Sequence, residues 1–217
     1  MKKLLHVNAS PRGPESHSLA LATELVNAYR ERRPDVALTT LNLFDDPLPP
    51  FGSVAAAAKM AAFSGQSLTA EQVEIWERAR AVFDQFEGAD AYVFNVPMWN
   101  AGVPYVLKQW IDIVTQPGWA FGFDPTEGYT GLVTGKKAAI VYTSGVYTPG
   151  VPLEFGADFH STFFNDWLRF VGIVDVSEIR LSGNALAVNL AADLEAAGSR
   201  AREIAEEFAG HDLEIAR

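Results

Sequence analysis

Cysteine is absent from this 217-residue chain. Disulfides, thiolate nucleophiles, iron–sulfur clusters and cysteine-ligated zinc are therefore excluded. Long apolar runs are missing as well, since no stretch reaches the roughly 18 uninterrupted apolar residues that a membrane-spanning helix needs. The apolar run after Lys2-Lys3 is too short for a signal peptide. The sequence therefore predicts a cytoplasmic protein without a membrane partner.

Positive charge is scarce, with 17 lysine and arginine residues against 27 aspartate and glutamate residues and a formal net charge of −10. This balance argues against a nucleic-acid partner, because a phosphate backbone requires a basic face. A small anionic ligand remains compatible, since a helix N-terminus and a few hydroxyls can bind one phosphate. The chain is 48% hydrophobic and 20% charged. Its length and composition predict one globular α/β domain over residues 1–217.

Apolar segments alternate with helical patterns along the chain. Strands are predicted at 4–8, 36–43, 91–96, 138–143 and 174–181. Helices are predicted at 18–30, 69–88, 104–114, 155–170 and 190–209, the second from a capping box at Thr69 and Gln72 and the last ending at Gly210. Residues 51–68 carry no clear pattern, and 117–135 are predicted to form a long aromatic loop. The alternation indicates a five-stranded parallel sheet of order 2-1-3-4-5 with helices on both faces.

The loop after the first predicted strand has the chemistry of a phosphate site. Ser10, Ser16 and Ser18 supply hydroxyls, the start of the next helix supplies N–H groups, and Arg12 supplies positive charge. The alternative is an ordinary turn in which Ser16 only caps the helix. The segment lacks G-x-G-x-x-G, so it predicts a mononucleotide phosphate and not a dinucleotide.

Two further loops follow the third and fourth predicted strands. In residues 97–104, Met98 and Trp99 could pack on a flat ring, and Asn100 could reach its edge. In residues 143–150, two glycines allow a close approach of the backbone to a ligand. Core packing and a flexible connection are the respective alternatives. Ligands bind where the strand order reverses, so the three loops together predict a ligand site without naming the ligand.

The Ser10…Ser16-His17-Ser18 loop, the Pro97-Met98-Trp99-Asn100 segment and the run from Gly131 to Ala138 resemble the FMN-dependent NADH-azoreductase family. That family lies within the flavodoxin-like NAD(P)H:quinone oxidoreductase group. The resemblance extends from Lys3 to about Phe208. It implies a flavodoxin-like fold, a homodimer, and one non-covalent FMN per subunit.

The resemblance also implies which residues form the site. The predicted cofactor-binding residues are Ser10, Arg12, Ser16, His17, Ser18, Pro97, Met98, Trp99, Asn100, Ala101, Thr143, Ser144, Gly145, Val146 and Tyr147. The predicted substrate-pocket residues are Phe121, Phe123 and His160. The chain departs from the family by having Trp99-Asn100-Ala101 in place of Tyr-Asn-Phe, and Ser144-Gly145-Val146-Tyr147 in place of Ser-Arg-Gly-Gly.

The implied activity is two-electron, ping-pong reduction of quinones or azo compounds, with NADH or NADPH as the hydride donor. The flavin carries this chemistry, so no catalytic side chain and no metal site are predicted. The main alternative is a non-enzymatic flavodoxin-type electron carrier. An esterase or phosphodiesterase using Ser10 or Ser144 ranks lower, because the sequence has no G-x-S-x-G motif.

Overall fold

The computed structural model describes the backbone of residues 2–215 and the side chains of residues 2–210. Its strands and helices, in chain order, are β1 (Lys3–Asn8), α1 (His17–Arg32), β2 (Ala37–Asn42), α2 (Ser53–Phe63), α3 (Ala70–Glu87), β3 (Ala91–Pro97), α4 (Tyr105–Val114), β4 (Phe121–Asp124), β5 (Gly128–Gly131), β6 (Lys137–Thr143), α5 (Ser161–Val171), β7 (Asp175–Leu181) and α6 (Leu190–Ile215). Two short 3-10 turns lie at Gly13–Glu15 and Leu153–Phe155. No helix among the described residues is long and apolar enough to cross a membrane.

Five of the strands form one parallel sheet in the order β2-β1-β3-β6-β7. The strands β1, β3 and β6 are buried almost throughout, as expected for central strands covered on both sides. The prediction of a five-stranded parallel sheet with helices on both faces is confirmed. The chain-order numbering differs from 2-1-3-4-5 because an unpredicted antiparallel hairpin, β4–β5, intervenes before β6.

The two faces of the sheet have cores of different composition. On one face, aliphatic residues of β1, β3 and β6 pack against α1 and α6. On the other face, α3, α4 and α5 bring aromatic rings together, with Phe94 and Phe164 5.1 Å apart and Phe86 and Trp110 5.2 Å apart between ring centroids. Each fully buried large side chain contributes about 1.5–3 kcal/mol. These two cores hold the carboxyl ends of the strands in place.

Local signals placed several helix ends correctly. The predicted capping box of α3 is confirmed, because the Thr69 hydroxyl accepts from the Gln72 amide at 3.3 Å and the Gln72 side chain accepts from the Thr69 amide at 2.9 Å. The predicted end at Gly210 is wrong, since α6 continues to Ile215. The segment 51–68, which carried no clear pattern, contains α2.

The helix predicted at 155–170 begins later, at Ser161. Gly156 has a φ of 108°, which no helix allows. The Asp158 carboxylate accepts from the backbone amides of His160 at 3.1 Å and Ser161 at 2.7 Å. These bonds satisfy N–H groups at the start of α5, so the Asp158 carboxylate fixes where the helix begins.

Candidate functional site

Three loops meet at the carboxyl edge of the sheet because the strands that precede them are neighbours. Asn8 of β1 lies in register with Asn95 of β3, and Pro97 of β3 lies in register with Thr143 of β6. The Met98 amide donates to the Thr143 carbonyl at 2.7 Å, which joins the second loop to the third. The structure therefore places the predicted loops side by side.

The first loop presents buried hydroxyls at the start of α1. The side chains of Ser10, Ser16 and Ser18 are all buried. The Ser16 hydroxyl accepts from the Leu19 amide at 3.1 Å, so Ser16 does cap α1, as the alternative interpretation of this loop expects. The Ser18 hydroxyl lies 3.1 Å from that of Ser16. Two hydroxyls and the unpaired N–H groups at the beginning of a 16-residue helix make this a suitable seat for a phosphate.

The remaining residues of the first loop are more accessible. Arg12 is exposed and His17 is partly buried. The Arg12 amide donates to the Ser10 hydroxyl at 3.4 Å, which keeps the loop folded back towards β1. Both side chains are therefore at least partly accessible from solvent.

The second loop contains a tight turn with unusual backbone angles. Trp99 and Gly102 exchange backbone hydrogen bonds of 2.9 and 3.0 Å, and the two central residues, Asn100 and Ala101, have φ values of 51° and 64°. Two consecutive positive φ values are those of a type I′ turn, which prefers asparagine and glycine. The left-handed conformation costs an alanine roughly 1–2 kcal/mol. Strain of this kind is typical of ligand-binding loops, where the surrounding structure enforces it.

The strained turn is held from both sides. The Phe159 amide donates to the Ala101 carbonyl at 3.1 Å, in addition to the bond between Met98 and Thr143. Trp99 remains 47% exposed, so its ring is available to a ligand. The core-packing alternative for this side chain is therefore not supported.

The third loop is braced by the segment that follows β7. Thr143 and Ser144 are buried, and the Ser144 hydroxyl donates to the Tyr147 carbonyl at 2.7 Å. The Ala185 amide donates to the Gly145 carbonyl at 2.8 Å. Gly145 and Val146 are exposed at the edge of the sheet. Hydrogen bonds therefore hold the backbone of this loop in place, which argues against a flexible connection.

A cleft of about 980 Å³ opens beside the first and second loops. Its walls are mostly apolar, and it is lined by Pro11, Phe44, Phe51, Trp99, Asn100, Gly102, Val103, Pro104, Tyr105, Lys108, Gln109, Asp112, Phe159 and Phe163. Of the predicted cofactor-binding residues, Trp99 and Asn100 line it. The third loop and the three buried serines do not. A phosphate on the first loop and a flat ring at the second would therefore border this cleft.

Sequence reasoning missed several of the aromatic walls. Phe44 lies just beyond β2, the strand next to β1, and its ring contacts that of Tyr105 at 5.8 Å. Phe51 precedes α2, in the segment that had no clear pattern. Only the position of Phe44 after a predicted strand was available as a signal. The other walls depend on how distant elements pack.

The three predicted substrate-pocket residues lie outside this cleft. Phe121 is buried against Phe170, with ring centroids 5.1 Å apart. Phe123 lies on the hairpin beside Tyr129, at 4.9 Å. The reason is the unpredicted β4–β5 pairing, which turns this aromatic stretch towards the end of α5. None of these residues lines the cleft of its own chain.

His160, the third of them, is 2% exposed. Its Nε2 lies 2.7 Å from the Val96 carbonyl oxygen, which can only accept, so Nε2 carries the hydrogen. Burial lowers the pKa of His160 to about 4, although the bond to Val96 and the nearby Asp158 oppose the shift. The ring is neutral at pH 7 and supports the strand end that leads into the second loop. It is not placed to donate a proton in the cleft.

Taken together, the loops fit a flat mononucleotide such as FMN. The buried hydroxyls and helix N-terminus match its phosphate, and the exposed Trp99 with the neighbouring backbone turns matches an aromatic ring system. No group of three or more His, Cys, Asp or Glu side chains with metal-binding geometry occurs within the described residues.

Comparison with known proteins gives consistent matches. The model of a protein family described as having a flavodoxin-like fold matches residues 2–205 of this chain. An FMN-dependent NADH:quinone oxidoreductase of Ruegeria pomeroyi is 44% identical over 186 residues, which cover 86% of this chain and 91% of the relative. A second protein of that name, from Burkholderia lata, is 34% identical and covers 96% of this chain and 100% of its own length.

Solved structures give the same picture. An FMN-dependent NADH-azoreductase from Bacillus anthracis, crystallised in complex with FMN, has a TM-score of 0.85 and 25% identity, covering 96% of this chain and 100% of that one. Another azoreductase from Bacillus anthracis has a TM-score of 0.87 and 26% identity, covering 95% and 100%. The likeness therefore extends over nearly the whole chain.

Proposed function

The chain belongs to the flavodoxin-like fold family, and we propose that it is an FMN-dependent oxidoreductase that uses NADH to reduce quinones or azo compounds. The observation that carries the proposal is the joint position of three loops at one sheet edge, in a chain 44% identical to a quinone oxidoreductase of the same family. Bound FMN would supply hydride acceptance and two-electron transfer. The protein supplies binding, orientation and exclusion of water.

The first loop is proposed to hold the phosphate. Ser16 and Ser18 would donate hydroxyl hydrogens to phosphate oxygens, and the first N–H groups of α1 would add donors and the positive end of the helix dipole. Ser10, Arg12 and His17 lie in the same loop and would complete the anion-binding set.

The second and third loops are proposed to hold the flavin ring. The turn from Trp99 to Gly102 offers an aromatic face, and its strained backbone directs peptide groups towards the ring edge. The proposed contacts from the two loops are Pro97, Met98, Trp99, Asn100, Ala101, Thr143, Ser144, Gly145, Val146 and Tyr147. Exposed backbone at Gly145 and Val146 would meet the opposite edge. N–H groups there would stabilise negative charge on a reduced ring.

The aromatic cleft is proposed to receive NADH and the electron acceptor in turn. Donor and acceptor are proposed to occupy the same part of this cleft of about 980 Å³, and they would therefore exclude each other. Apolar walls such as Phe44, Phe163 and Trp99 favour stacking and displace water from the reacting edge. Alternating occupancy of one cleft gives ping-pong kinetics.

We further propose that residues 1–217 form one domain and that two copies associate next to the cleft. Tyr105 is 73% exposed, Phe159 is 68% exposed and Trp99 is 47% exposed, and all three line the mouth of the cleft. Large apolar side chains clustered at a surface are typical of an association site. The cytoplasmic location and the absence of nucleic-acid and membrane partners stay predictions.

The absorption spectrum of the purified protein tests the function. We expect a flavin spectrum, or its appearance on mixing with FMN, and bleaching on addition of NADH under anaerobic conditions. Slow bleaching that needs a separate reductase would instead indicate an electron carrier. A colourless protein that does not take up FMN would refute the proposal.

Replacing Ser16 and Ser18 together by alanine tests the phosphate assignment. Two hydrogen bonds to a charged group contribute about 1.5–3 kcal/mol each, so the FMN dissociation constant should rise at least about 100-fold. The matched control replaces the exposed serines Ser64 and Ser67, which lie beyond α2 and outside the site. Unchanged FMN affinity in the Ser16/Ser18 variant would show that the phosphate binds elsewhere.

A further inference from the structure

A row of three asparagines lies directly beneath the first loop, and Asn8 and Asn95 are buried while Asn42 is partly buried. Asn8, at the end of β1, is in register with Asn42 of β2 and Asn95 of β3. The Asn8 Nδ2 donates to Asn42 Oδ1 at 2.8 Å, and the Asn95 Nδ2 donates to Asn8 Oδ1 at 2.7 Å. In-register residues of neighbouring strands point to the same face of a sheet, here the face covered by α1. The side chains of the row therefore lie between the strand backbones and the start of α1.

His6 supports the row from within the core. Its Nε2 lies 2.8 Å from Asn95 Oδ1, and the two side chains are 4% and 0% exposed. An amide oxygen can only accept, so Nε2 of His6 is the donor. This bond turns the Asn95 amide nitrogen towards Asn8 and Ser18.

The orientation of Asn95 in turn links the two ends of the first loop. At one end, Asn8 Oδ1 also accepts from the Ser10 amide at 3.0 Å. At the other end, Asn95 Nδ2 lies 3.5 Å from the Ser18 hydroxyl, a long contact. A hydroxyl that accepts from below keeps its single hydrogen for a partner on the other side. Ser18 is thus set to donate to Ser16 or to an anion in the loop.

Burying one imidazole and two amides at this level costs free energy unless every polar group is paired. Further from the loop on the same face, the side chains of Leu4, Ala91 and Val93 are apolar. Polar side chains therefore replace apolar packing in the part of this face nearest the loop, where His6, Asn95 and Asn8 bond to one another. Packing alone does not account for this placement.

We propose that His6 and Asn95 are positioning residues for the phosphate of FMN. His6 sets the amide of Asn95, and Asn95 holds Asn8 and Ser18 so that the donors of the first loop point at the phosphate. Neither side chain touches the cofactor. The inference rests on the proposed FMN site and adds residues to it that lie below the loop.

Comparison of FMN with riboflavin, which lacks the phosphate, separates positioning from general stability. The dissociation constant of each flavin is measured by quenching of flavin fluorescence in the wild type and in His6→Leu, His6→Phe and His6→Gln. We expect the Leu and Phe variants to bind FMN about tenfold more weakly, because the buried Asn95 Oδ1 loses its donor. The same variants should bind riboflavin less than about twofold more weakly. The Gln variant retains a side-chain N–H and should recover most of the FMN affinity.

Val93→Ala is the matched control, because Val93 lies in register with His6, is fully buried and has no polar side-chain atom. It should lower stability while leaving the FMN-to-riboflavin ratio unchanged. If His6→Leu does not fold, His6→Phe, which is closer to imidazole in shape, decides the question. Equal weakening of both flavins, unchanged FMN affinity, or no recovery in His6→Gln would overturn the inference. Failure of the wild type to bind FMN would instead overturn the proposed function.

Discussion

Acidification should destabilise the protein through His160, the buried imidazole beneath the second loop. Its side chain is 2% exposed and its Nε2 donates to the Val96 carbonyl. Burial lowers the pKa of His160 from 6.5 to about 4. The unfolded chain therefore binds a proton at this residue below about pH 6.5, whereas the folded chain does so only below about pH 4.

The sign and size of the effect follow from that difference. The folded pKa lies below the unfolded pKa, so the contribution of His160 to stability is complete above pH 6.5 and is lost as the pH falls to 4. One pKa unit corresponds to about 1.4 kcal/mol, so the full loss is about 3 kcal/mol. Between pH 7 and pH 5 the loss is about 2 kcal/mol.

Urea unfolding of the wild type and of His160→Gln at pH 7 and pH 5 measures this loss. Glutamine does not titrate and keeps a side-chain N–H for the Val96 carbonyl. The other ionisable groups are present in both proteins, including His6, whose pKa is also lowered by burial. The variant should therefore lose about 2 kcal/mol less than the wild type between the two pH values. Equal losses would refute the conclusion that the folded protein keeps His160 neutral.

Two backbone predictions concern the second loop and the hairpin. Ala101→Val places a β-branched side chain at a φ of 64° and should lower the unfolding free energy by roughly 1–2 kcal/mol. Ala101→Gly should not lower it, because glycine adopts this conformation readily. Urea unfolding midpoints that rank the two variants otherwise would contradict a strained turn at this position. A Cβ at Gly131 would overlap sterically with the backbone of Val171 and Gly172, so Gly131→Ala should cost about 3 kcal/mol. Gly122→Ala is the control, since its Cβ would lie 4.0 Å from the Thr130 carbonyl oxygen, and equal effects at both glycines would count against this close packing.

The strands and most helices could be predicted because their signals are local. β1 and β3 are short apolar runs, and the capping box of α3 needs only Thr69 and Gln72. Elements whose stability depends on distant partners were not predicted. The hairpin β4–β5 is partly exposed and has no strong alternation, and it is stabilised by packing of Phe121 on Phe170.

The candidate site divides in the same way. The serines of the first loop and the Met98-Trp99-Asn100 segment could be proposed as site residues from the sequence, because their chemistry is visible over a few residues. The walls of the cleft were mostly missed, because Phe44, Phe51 and Phe163 come from three separate parts of the chain. His160 shows the converse, since the sequence does not reveal that this imidazole is buried once α5 packs against the sheet.

The sequence by itself determined the alternation of strands and helices and the chemical character of the three loops, because periodicity and turn residues act over short distances. Only the tertiary structure decided which strands are neighbours, and therefore that Asn8, Asn42 and Asn95 form one hydrogen-bonded row beneath the first loop. It also decided the strained turn at Asn100 and Ala101 and the burial of His160. These features depend on contacts between residues far apart in the chain, and such contacts form only when the whole sheet and its helices have packed.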